Sequence, residues 1–262
     1  NYLKSQKKNL LISSSLWIKK EKIIDYPIDA IINQLSLADY IIVNSFQEKN
    51  LLSEVTRINK NNFKVVHNGF DEDLLKYNDT DLEPPKFLPK NWLGDYIFCL
   101  ANIEKRKNQN VLVKAARKIG MKLLLAGHIR DEGYFESLNI KNDDNIFYVG
   151  PVKNRSKLFL SLFKFSRFFA LPSKLETPGL AALEAAALGI PILITEEGSA
   201  KEYFGNINSY FDGNLCSLDD LCDMLNYLKS YPEKGIVDKK QISKFTWSKC
   251  ADEQLKIYQD LI

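Results

Sequence analysis

A loop, a helix and the start of a strand are predicted for the stretch ETPGLAALE, residues 176–184, together with the apolar run AAALGIP that follows it, residues 185–191. Pro178 suits a first helical turn, because its φ is already helical and its missing N–H would be unpaired there. Strong helix formers follow, and a glycine and a proline then end the helix. These signals predict a helix over Pro178–Leu188 and a buried strand over Ile190–Thr195.

The two carboxylates of this stretch, Glu176 and Glu184, raise the functional question. Glu184 falls in an otherwise apolar helix, and a buried carboxylate is costly without a partner or a position facing a cleft. Gly179 permits close approach of a ligand to the backbone, and a helix N-terminus favours an anion. The two glutamates could therefore flank one ligand. Alternatively, Glu184 makes a structural salt bridge and Glu176 is a solvated loop residue.

Strand-like and helix-like segments alternate along the chain. Continuous apolar strands between helices indicate an α/β fold with a parallel sheet covered on both faces, whose ligands bind at the carboxyl ends of the strands. Strands are predicted at Leu10–Ser15, Tyr40–Asn44, Phe63–His67, Tyr96–Ala101, Lys122–Ala126, Ile146–Val149, Arg167–Leu171 and Ile190–Thr195. Helices are predicted at Ala30–Leu37, Phe46–Ile58, Gln109–Ile119, Ser156–Phe163, Pro178–Leu188 and Leu218–Lys229. A polar, proline-containing stretch, Asn78–Asn91, is predicted to be a linker.

The composition is that of an ordinary globular protein: 262 residues, 45% hydrophobic and 26% charged, with a net charge of +3. Four cysteines without a CxxC pair indicate buried thiols in a reducing compartment. Two histidines are too few for a histidine-rich metal site, and neither a long apolar run nor a signal-peptide pattern is present. The first residue is Asn1 rather than a methionine, so the sequence is expected to be a fragment.

The first 22 residues are rich in lysine. A solvated face is the usual interpretation of such a block, and an anionic membrane surface or a phosphorylated acceptor is the minority interpretation. The lysines are Lys4, Lys7, Lys8, Lys19, Lys20 and Lys22.

A second candidate for chemistry is the cationic loop NIEKRKNQ, residues 102–109. Three consecutive cations after a strand and before a helix can neutralise a phosphate or pyrophosphate, although a solvated basic loop is an equally good interpretation. If this loop and the two glutamates border one cleft, cations for phosphate and carboxylates for hydroxyls fit a nucleotide bound to a sugar. The chain has no GxGxxG, GxxxxGK[ST] or GxSxG motif.

These residues resemble a known family. Residues 172–191 resemble the E-x7-E signature of family 4 retaining glycosyltransferases, in the variant typical of bacterial surface-polysaccharide enzymes. Glu104–Asn108 resembles that variant's E-P-R-K-N loop, with Lys105 in place of the proline, and Val66–Asp71 resembles its N-G-[VF]-D segment. The similarity covers roughly residues 38–262.

The resemblance implies a GT-B fold: a Rossmann-like parallel sheet domain with helices on both faces, plus part of a second Rossmann-like domain. Residues 1–77 would be the tail of the N-terminal acceptor domain, 78–94 the linker and 95–246 the domain that binds the nucleotide-sugar donor. Residues 247–262 would form a helix that crosses back to the N-terminal domain. The acceptor domain would be truncated, so the fragment is expected to bind donor without necessarily transferring sugar.

The resemblance also implies catalytic roles. Glu176 would contact hydroxyls of the transferred sugar, and Arg106 and Lys107 would bind the diphosphate and stabilise it as it leaves. No metal and no other cofactor would be required.

Donor-binding roles follow in the same way. Glu184 would hold the ribose hydroxyls, the backbone of Gly179 and Leu180 would face the sugar or phosphate, and Val152 would lie against the base. Asn102 would belong to the donor site at a position where many members carry arginine.

The implied activity is the transfer of a sugar, with retention, from a nucleotide-diphosphate sugar to a glycan or lipid-linked acceptor. Lipopolysaccharide, capsule or another surface polysaccharide would be the product. The enzyme would be cytoplasmic, with a peripheral contact at the inner membrane face as a further expectation, and would have no nucleic-acid partner. The alternatives are a nucleotide-sugar-modifying enzyme such as an epimerase of similar architecture, and a non-catalytic nucleotide-binding module.

Overall fold

The structure is a computed structural model that describes residues 10–12, 28–77 and 82–261. The chain divides into two compact units: the first comprises Asn1–Gly69 and Phe245–Ile262, and the second comprises Phe70–Lys244. The predicted linker, residues 78–94, falls inside the second unit, where its described part buries Leu82, Leu88 and Trp92. The assignment of the units to an acceptor and a donor domain stays a prediction.

The first unit contains a three-stranded parallel sheet in the order β1-β2-β3. Alternate side chains of β2 pack in opposite directions: Ile41 joins a core with Leu52 of α2, whereas Ile42 joins a core with Cys250 and Ile257 of α10. Helices therefore cover both faces of this small sheet. Its elements in the described residues are β1 (Leu10–Ile12), α1 (Ile28–Leu35), β2 (Tyr40–Val43), α2 (Phe46–Thr56), β3 (Phe63–Val65) and α10 (Trp247–Gln259).

The second unit contains a six-stranded parallel sheet in the order β6-β5-β4-β7-β8-β9. The chain winds outward from β4 to β6, returns to the other side of β4 and winds outward again, so the direction of winding reverses between β4 and β7. In doubly wound sheets this reversal is where ligands bind. The strands are β4 (Tyr96–Leu100), β5 (Lys122–Ala126), β6 (Ile146–Tyr148), β7 (Phe168–Leu171), β8 (Ile192–Thr195) and β9 (Tyr210–Phe211).

Helices cover both faces of this sheet. On one face, Ile97 and Leu125 belong to a core that includes residues of α3 and α8. On the other face, Phe98 and Phe169 pack against Phe163 of α5, with ring centroids 4.9 and 5.6 Å from that of Phe163. The predicted α/β architecture with a doubly covered parallel sheet is confirmed. The described helices of the second unit are α3 (Gln109–Ile119), α4 (Glu132–Ser137), α5 (Lys157–Lys164), α6 (Leu180–Ala187), α7 (Ala200–Phe204), α8 (Leu218–Ser230) and α9 (Lys239–Ile242).

The start of α6 differs from its prediction. The helix begins at Leu180 rather than at Pro178, because Gly179 has φ 82° and ψ 91°, outside the helical region. Pro178 lies in the preceding loop, joined to Thr177 by a cis peptide.

The expected contact with a membrane concerns the helices and the N-terminal lysines. None of the helices in the described ranges is long and apolar enough to cross a membrane. The N-terminal lysines that suggested a membrane surface lie outside those ranges.

All four cysteines are free thiols; Cys216 is half-buried and the other three are buried.

Candidate functional site

Two loops meet at the carboxyl ends of β4 and β7, the neighbouring strands between which the winding reverses. The backbone N–H of Lys174 donates to the carbonyl of Arg106 at 3.0 Å, and the Arg106 guanidinium donates to the carbonyl of Leu175 at 3.4 Å. The sequence left open whether the cationic loop and the glutamate-bearing loop border one site. The structure places them side by side.

The two loops are joined by an ion pair. The Lys107 ammonium lies 2.5 Å from a carboxylate oxygen of Glu176, and the two side chains are only 13% and 4% exposed. Lys107 reaches this position from a 3-10 turn, Lys105–Lys107, that ends in a left-handed residue, Asn108, with φ 57°. The interpretation of Glu176 as a solvated loop residue is wrong, since Glu176 is buried and paired.

The loop after β8 forms the third wall of this region. The backbone N–H of Glu176 donates to the carbonyl of Glu197, and the carbonyl of Glu176 accepts from the N–H of Ser199. Between them Gly198 has φ 98°, and a Cβ there would lie 2.1 Å from the Glu176 carbonyl oxygen. Only glycine therefore fits this contact. Sequence reasoning placed this loop at the functional edge but gave its residues no role.

The N-terminus of α6 opens beside Glu176. A Cβ added to Gly179 would lie 3.2 Å from Glu176 Oε2, so the glycine backbone and the carboxylate are close neighbours. No side chain caps this helix, and within the described residues no acceptor is found for the backbone N–H groups of Leu180 and Ala181. Leu180 is 47% exposed. Free N–H groups at the positive end of a helix are suited to an anion.

Glu184 lies inside α6, half-buried, and its partner is an amide. Asn154 Nδ2 donates to Glu184 Oε1 at 2.7 Å. Burial raises the pKa of Glu184, and the hydrogen bond from Asn154 opposes that shift. Within the described part of the chain Glu184 has no ion pair, so the structural salt bridge considered from sequence is not found.

The remaining predicted residues occupy neighbouring positions. Arg106 also pairs with Glu104 at 2.9 Å and is 37% exposed. Asn102 lies at the start of the cationic loop, where its carbonyl accepts from the side chain of the buried Gln109 at 2.8 Å. Val152 is half-buried in the loop after β6, two residues before Asn154. The roles predicted for these residues stay predictions.

A metal-binding site needs several ligating side chains close together. Across residues 10–12, 28–77 and 82–261, no group of three or more His, Cys, Asp or Glu side chains could hold a metal ion. The expectation that no metal is required stays a prediction.

The family described as "Glycosyl transferases group 1" matches residues 85–234, more than half of the chain and entirely within the second unit. The chain belongs to the glycosyl transferases group 1 family. A curated relative, the probable sucrose-phosphate synthase of Thermosipho melanesiensis, is 26% identical over 243 residues, which cover 86% of this chain and 55% of the relative. This group 1 chain thus spans about half the length of that relative.

Solved structures show the same fold. Sucrose-phosphate synthase from Thermosynechococcus elongatus superimposes with a TM-score of 0.76 at 20% identity, covering 96% of this chain and 67% of that one. The Anabaena protein HepE, solved in complex with UDP and glucose, superimposes with a TM-score of 0.73 at 18% identity, covering 89% of this chain and 66% of that one. The predicted GT-B architecture of this group 1 member is confirmed, with part of the fold present.

Proposed function

We propose that the second unit binds a nucleotide-diphosphate sugar and that the whole protein transfers this sugar to an acceptor. The observation that supports this most strongly is the meeting of three features at the β4–β7 edge. These are the cationic loop, the buried Lys107–Glu176 pair and the uncapped N-terminus of α6. Together they offer positive charge for a diphosphate next to a carboxylate for sugar hydroxyls.

The diphosphate would lie against the cationic side of this region. Arg106 keeps exposed N–H groups although it pairs with Glu104, and the free N–H groups of α6 add donors that need no reorganisation. Lys107 is largely buried against Glu176, so its charge is already fixed in position before donor arrives. As the bond between sugar and phosphate breaks, these groups would stabilise the charge on the departing diphosphate.

The transferred sugar would lie beside Glu176. A carboxylate has two accepting oxygens, and Lys107 occupies Oε1 of Glu176, which leaves Oε2 to accept from a sugar hydroxyl. Glu176 Oε2 is also the oxygen close to Gly179, at the entrance to α6. This arrangement supports a positioning role for Glu176 toward the sugar.

The nucleoside would extend toward Glu184 and the loop after β6. Glu184 Oε2 has no partner among the described residues and would accept a ribose hydroxyl, while Val152 would lie against the base. The UDP and glucose bound to the structurally similar HepE make a UDP-sugar the first donor to test.

The finer assignments come from the sequence resemblance. We infer that the linkage is formed with retention, that the acceptor is a glycan or is lipid-linked, and that the product is a bacterial surface polysaccharide. Work at the cytoplasmic face of the membrane belongs to the same proposal. Transfer of radiolabelled sugar by the full-length protein to lipid-linked acceptors would test it.

Isothermal titration calorimetry with a panel of nucleoside diphosphates and their sugars tests the donor site. We expect micromolar to millimolar binding of one base class, and binding weakened at least tenfold by Glu184→Ala. Failure of the wild-type chain to bind any of these ligands would overturn the proposal. Conversion of a bound nucleotide sugar into its epimer, without transfer, would favour the modifying-enzyme alternative.

A further inference from the structure

The loop after β6, residues 150–156, contains a polar residue that sequence reasoning passed over. Asn154 is exposed, yet its side-chain amide reaches Glu184 on α6 and donates to Oε1 at 2.7 Å. The two residues are 30 positions apart in the chain. Residues from two different elements therefore present an amide and a carboxylate together.

This hydrogen bond leaves groups available on both partners. An asparagine amide has two N–H donors and one carbonyl acceptor, and a carboxylate has two oxygens. Within the described residues, Asn154 Oδ1, its second N–H and Glu184 Oε2 have no partner. A pair of adjacent hydroxyls, each able to donate and accept, matches this set better than a single hydroxyl does.

Ion pairs of the next residue, Arg155, anchor the backbone beside Asn154. Arg155 has φ 60°, in the left-handed region that a non-glycine residue rarely occupies. Its guanidinium pairs with Asp71 at 2.6 Å and with Asp73 at 3.5 Å. Asp71 caps the 3-10 turn Glu72–Lys76 and Asp73 lies within it, and this turn packs against α6.

The anchoring has a consequence for Asn154. Loop, turn and helix form a closed path in which Arg155 ties the loop to the turn, the turn packs on α6, and α6 carries Glu184. Groups held before the ligand arrives lose less conformational entropy on binding. These contacts favour the position of the Asn154 amide beside Glu184.

We propose that Asn154 is a specificity-determining residue that, with Glu184, binds the two adjacent ribose hydroxyls of the donor and so selects ribonucleotides over deoxyribonucleotides. This inference rests on the proposed function, because it requires that Glu184 face the ribose. It adds a residue and a selectivity that the donor-site proposal does not contain. The rival explanation is structural: Asn154 would only satisfy the half-buried carboxylate and would not touch the ligand.

Calorimetry with modified ligands distinguishes the two explanations. The ligands are UDP, 2′-deoxy-UDP and 3′-deoxy-UDP, or the same series of whichever base the panel identifies. We expect the wild-type chain to bind each deoxy ligand about tenfold more weakly than the parent, since a polar group covered by the bound ligand loses its partner. In Asn154→Ala, the parent ligand should bind about tenfold more weakly, and the penalty for removing one of the two hydroxyls should nearly vanish.

Two further variants complete the design. Lys153→Ala changes an exposed neighbour in the same loop and should keep both the affinity and the deoxy penalties of the wild type. Asn154→Leu keeps the approximate shape of the side chain but removes both the donor and the acceptor, so it serves as the test if the alanine variant fails to fold. It too should lose the penalty for one hydroxyl.

The possible outcomes test the role of Asn154 and the donor-site proposal separately. No binding of any diphosphate to the wild type would count against the donor site itself. Binding by the wild type, with Asn154→Ala weakening all three ligands equally or not at all, would show a structural role and overturn the inference alone.

Discussion

Lys107 and Glu176 face each other with little access to solvent, so neither charge can be removed without leaving the other buried and uncompensated. We expect Lys107→Met to lower the free energy of unfolding by about 3 kcal/mol. In the double variant Lys107→Met/Glu176→Gln, most of that loss should be recovered, because no charge is then stranded. Urea denaturation of the wild type, both single variants and the double variant measures this coupling.

Lys105→Met is the matched control, because Lys105 belongs to the same 3-10 turn but is exposed. Its unfolding free energy should stay within about 0.5 kcal/mol of the wild type. Strictly additive losses in the double variant would show that the two charges do not depend on each other.

Burial of the Glu184 carboxylate has a cost in stability. Its pKa is raised by burial, so the ionised form is less stable in the folded chain than in the unfolded one. Glu184→Gln should therefore increase the free energy of unfolding at about pH 7, by about 1 kcal/mol, while weakening nucleotide binding. The advantage should shrink as the pH falls through the raised pKa and disappear below the unfolded value, near about pH 4.

Urea unfolding of the wild type and of Glu184→Gln across this pH range provides the measurement. An advantage that persists unchanged in acid would mean that ionisation of Glu184 is not its cause.

The partners of the two glutamates could not be predicted from their neighbours in sequence. Lys107 and Glu176 are 69 positions apart, and Asn154 and Glu184 are 30 apart. The carboxylates themselves stood out because one interrupts an apolar helix. Which of them is ion-paired and which is bound to an amide depends on how the loops fold. The structural alternative considered from sequence gave the salt bridge to Glu184, whereas the structure gives it to Glu176.

Among the loops, the contact between the loop after β7 and the loop after β8 depends on a glycine. Gly198→Ala should cost about 3 kcal/mol or more of unfolding free energy, because a Cβ would lie 2.1 Å from a carbonyl oxygen in addition to the strain of φ 98°. Gly189→Ala is the control for backbone strain alone, since Gly189 has φ 73° and no atom within 4 Å of an added Cβ. It should cost about 1 kcal/mol. Equal losses, measured by urea unfolding, would show that the close contact adds nothing.

The loop after β6 depends on the ion pairs of Arg155. Arg155→Asn removes them but keeps a residue that tolerates the left-handed backbone, so global stability should change by less than about 1 kcal/mol. Hydrogen exchange of residues 150–156 should accelerate, and nucleotide affinity should fall about threefold.

Arg57→Asn is the matched control for this loop, because Arg57 has φ 58° but no ion pair within the described residues. Unchanged exchange in Arg155→Asn would mean that the loop is held by other contacts.

Most strands and the longer helices were predictable, and a few short elements were not. The strands of the second unit from β4 to β8, and helices such as α3 and α8, have continuous apolar runs or an amphipathic period, which is why their predicted bounds lie within about two residues of those observed. Helices α4, α7 and α9, of four to six residues, and the two-residue strand β9 were missed, because segments this short show no period.

At the scale of the molecule, nucleotide binding should change hydrogen exchange only in the second unit. Hydrogen exchange with and without UDP should show slower exchange in the loops at the carboxyl edge of the larger sheet, residues 101–108, 150–156, 172–180 and 196–199. Amides of the first unit, including those of α10, should exchange at unchanged rates. Protection confined to other segments would place the nucleotide elsewhere.

The arrangement of the whole chain was only partly predictable. Alternation of strands and helices indicates a parallel sheet, but the strand order and the site between β4 and β7 depend on pairings that no local pattern encodes. The proline-rich stretch looked like a free linker, yet Leu82, Leu88 and Trp92 bury their side chains in the second unit. Apolar residues scattered among prolines and charges give no period by which to recognise this packing.

The central position of β4 bears on how the chain is made. During synthesis β4 emerges before all its partners: β5 follows soon after, but β7, which pairs with Ile97 and Phe98, lies about 70 positions further along the chain. Until then one edge of this central strand stays open on the ribosome, and such edges attract other chains and chaperones. The half-sheet β4-β5-β6 can form as a nascent intermediate, whereas the β4–β7 edge, and with it the candidate site, can form only late in translation.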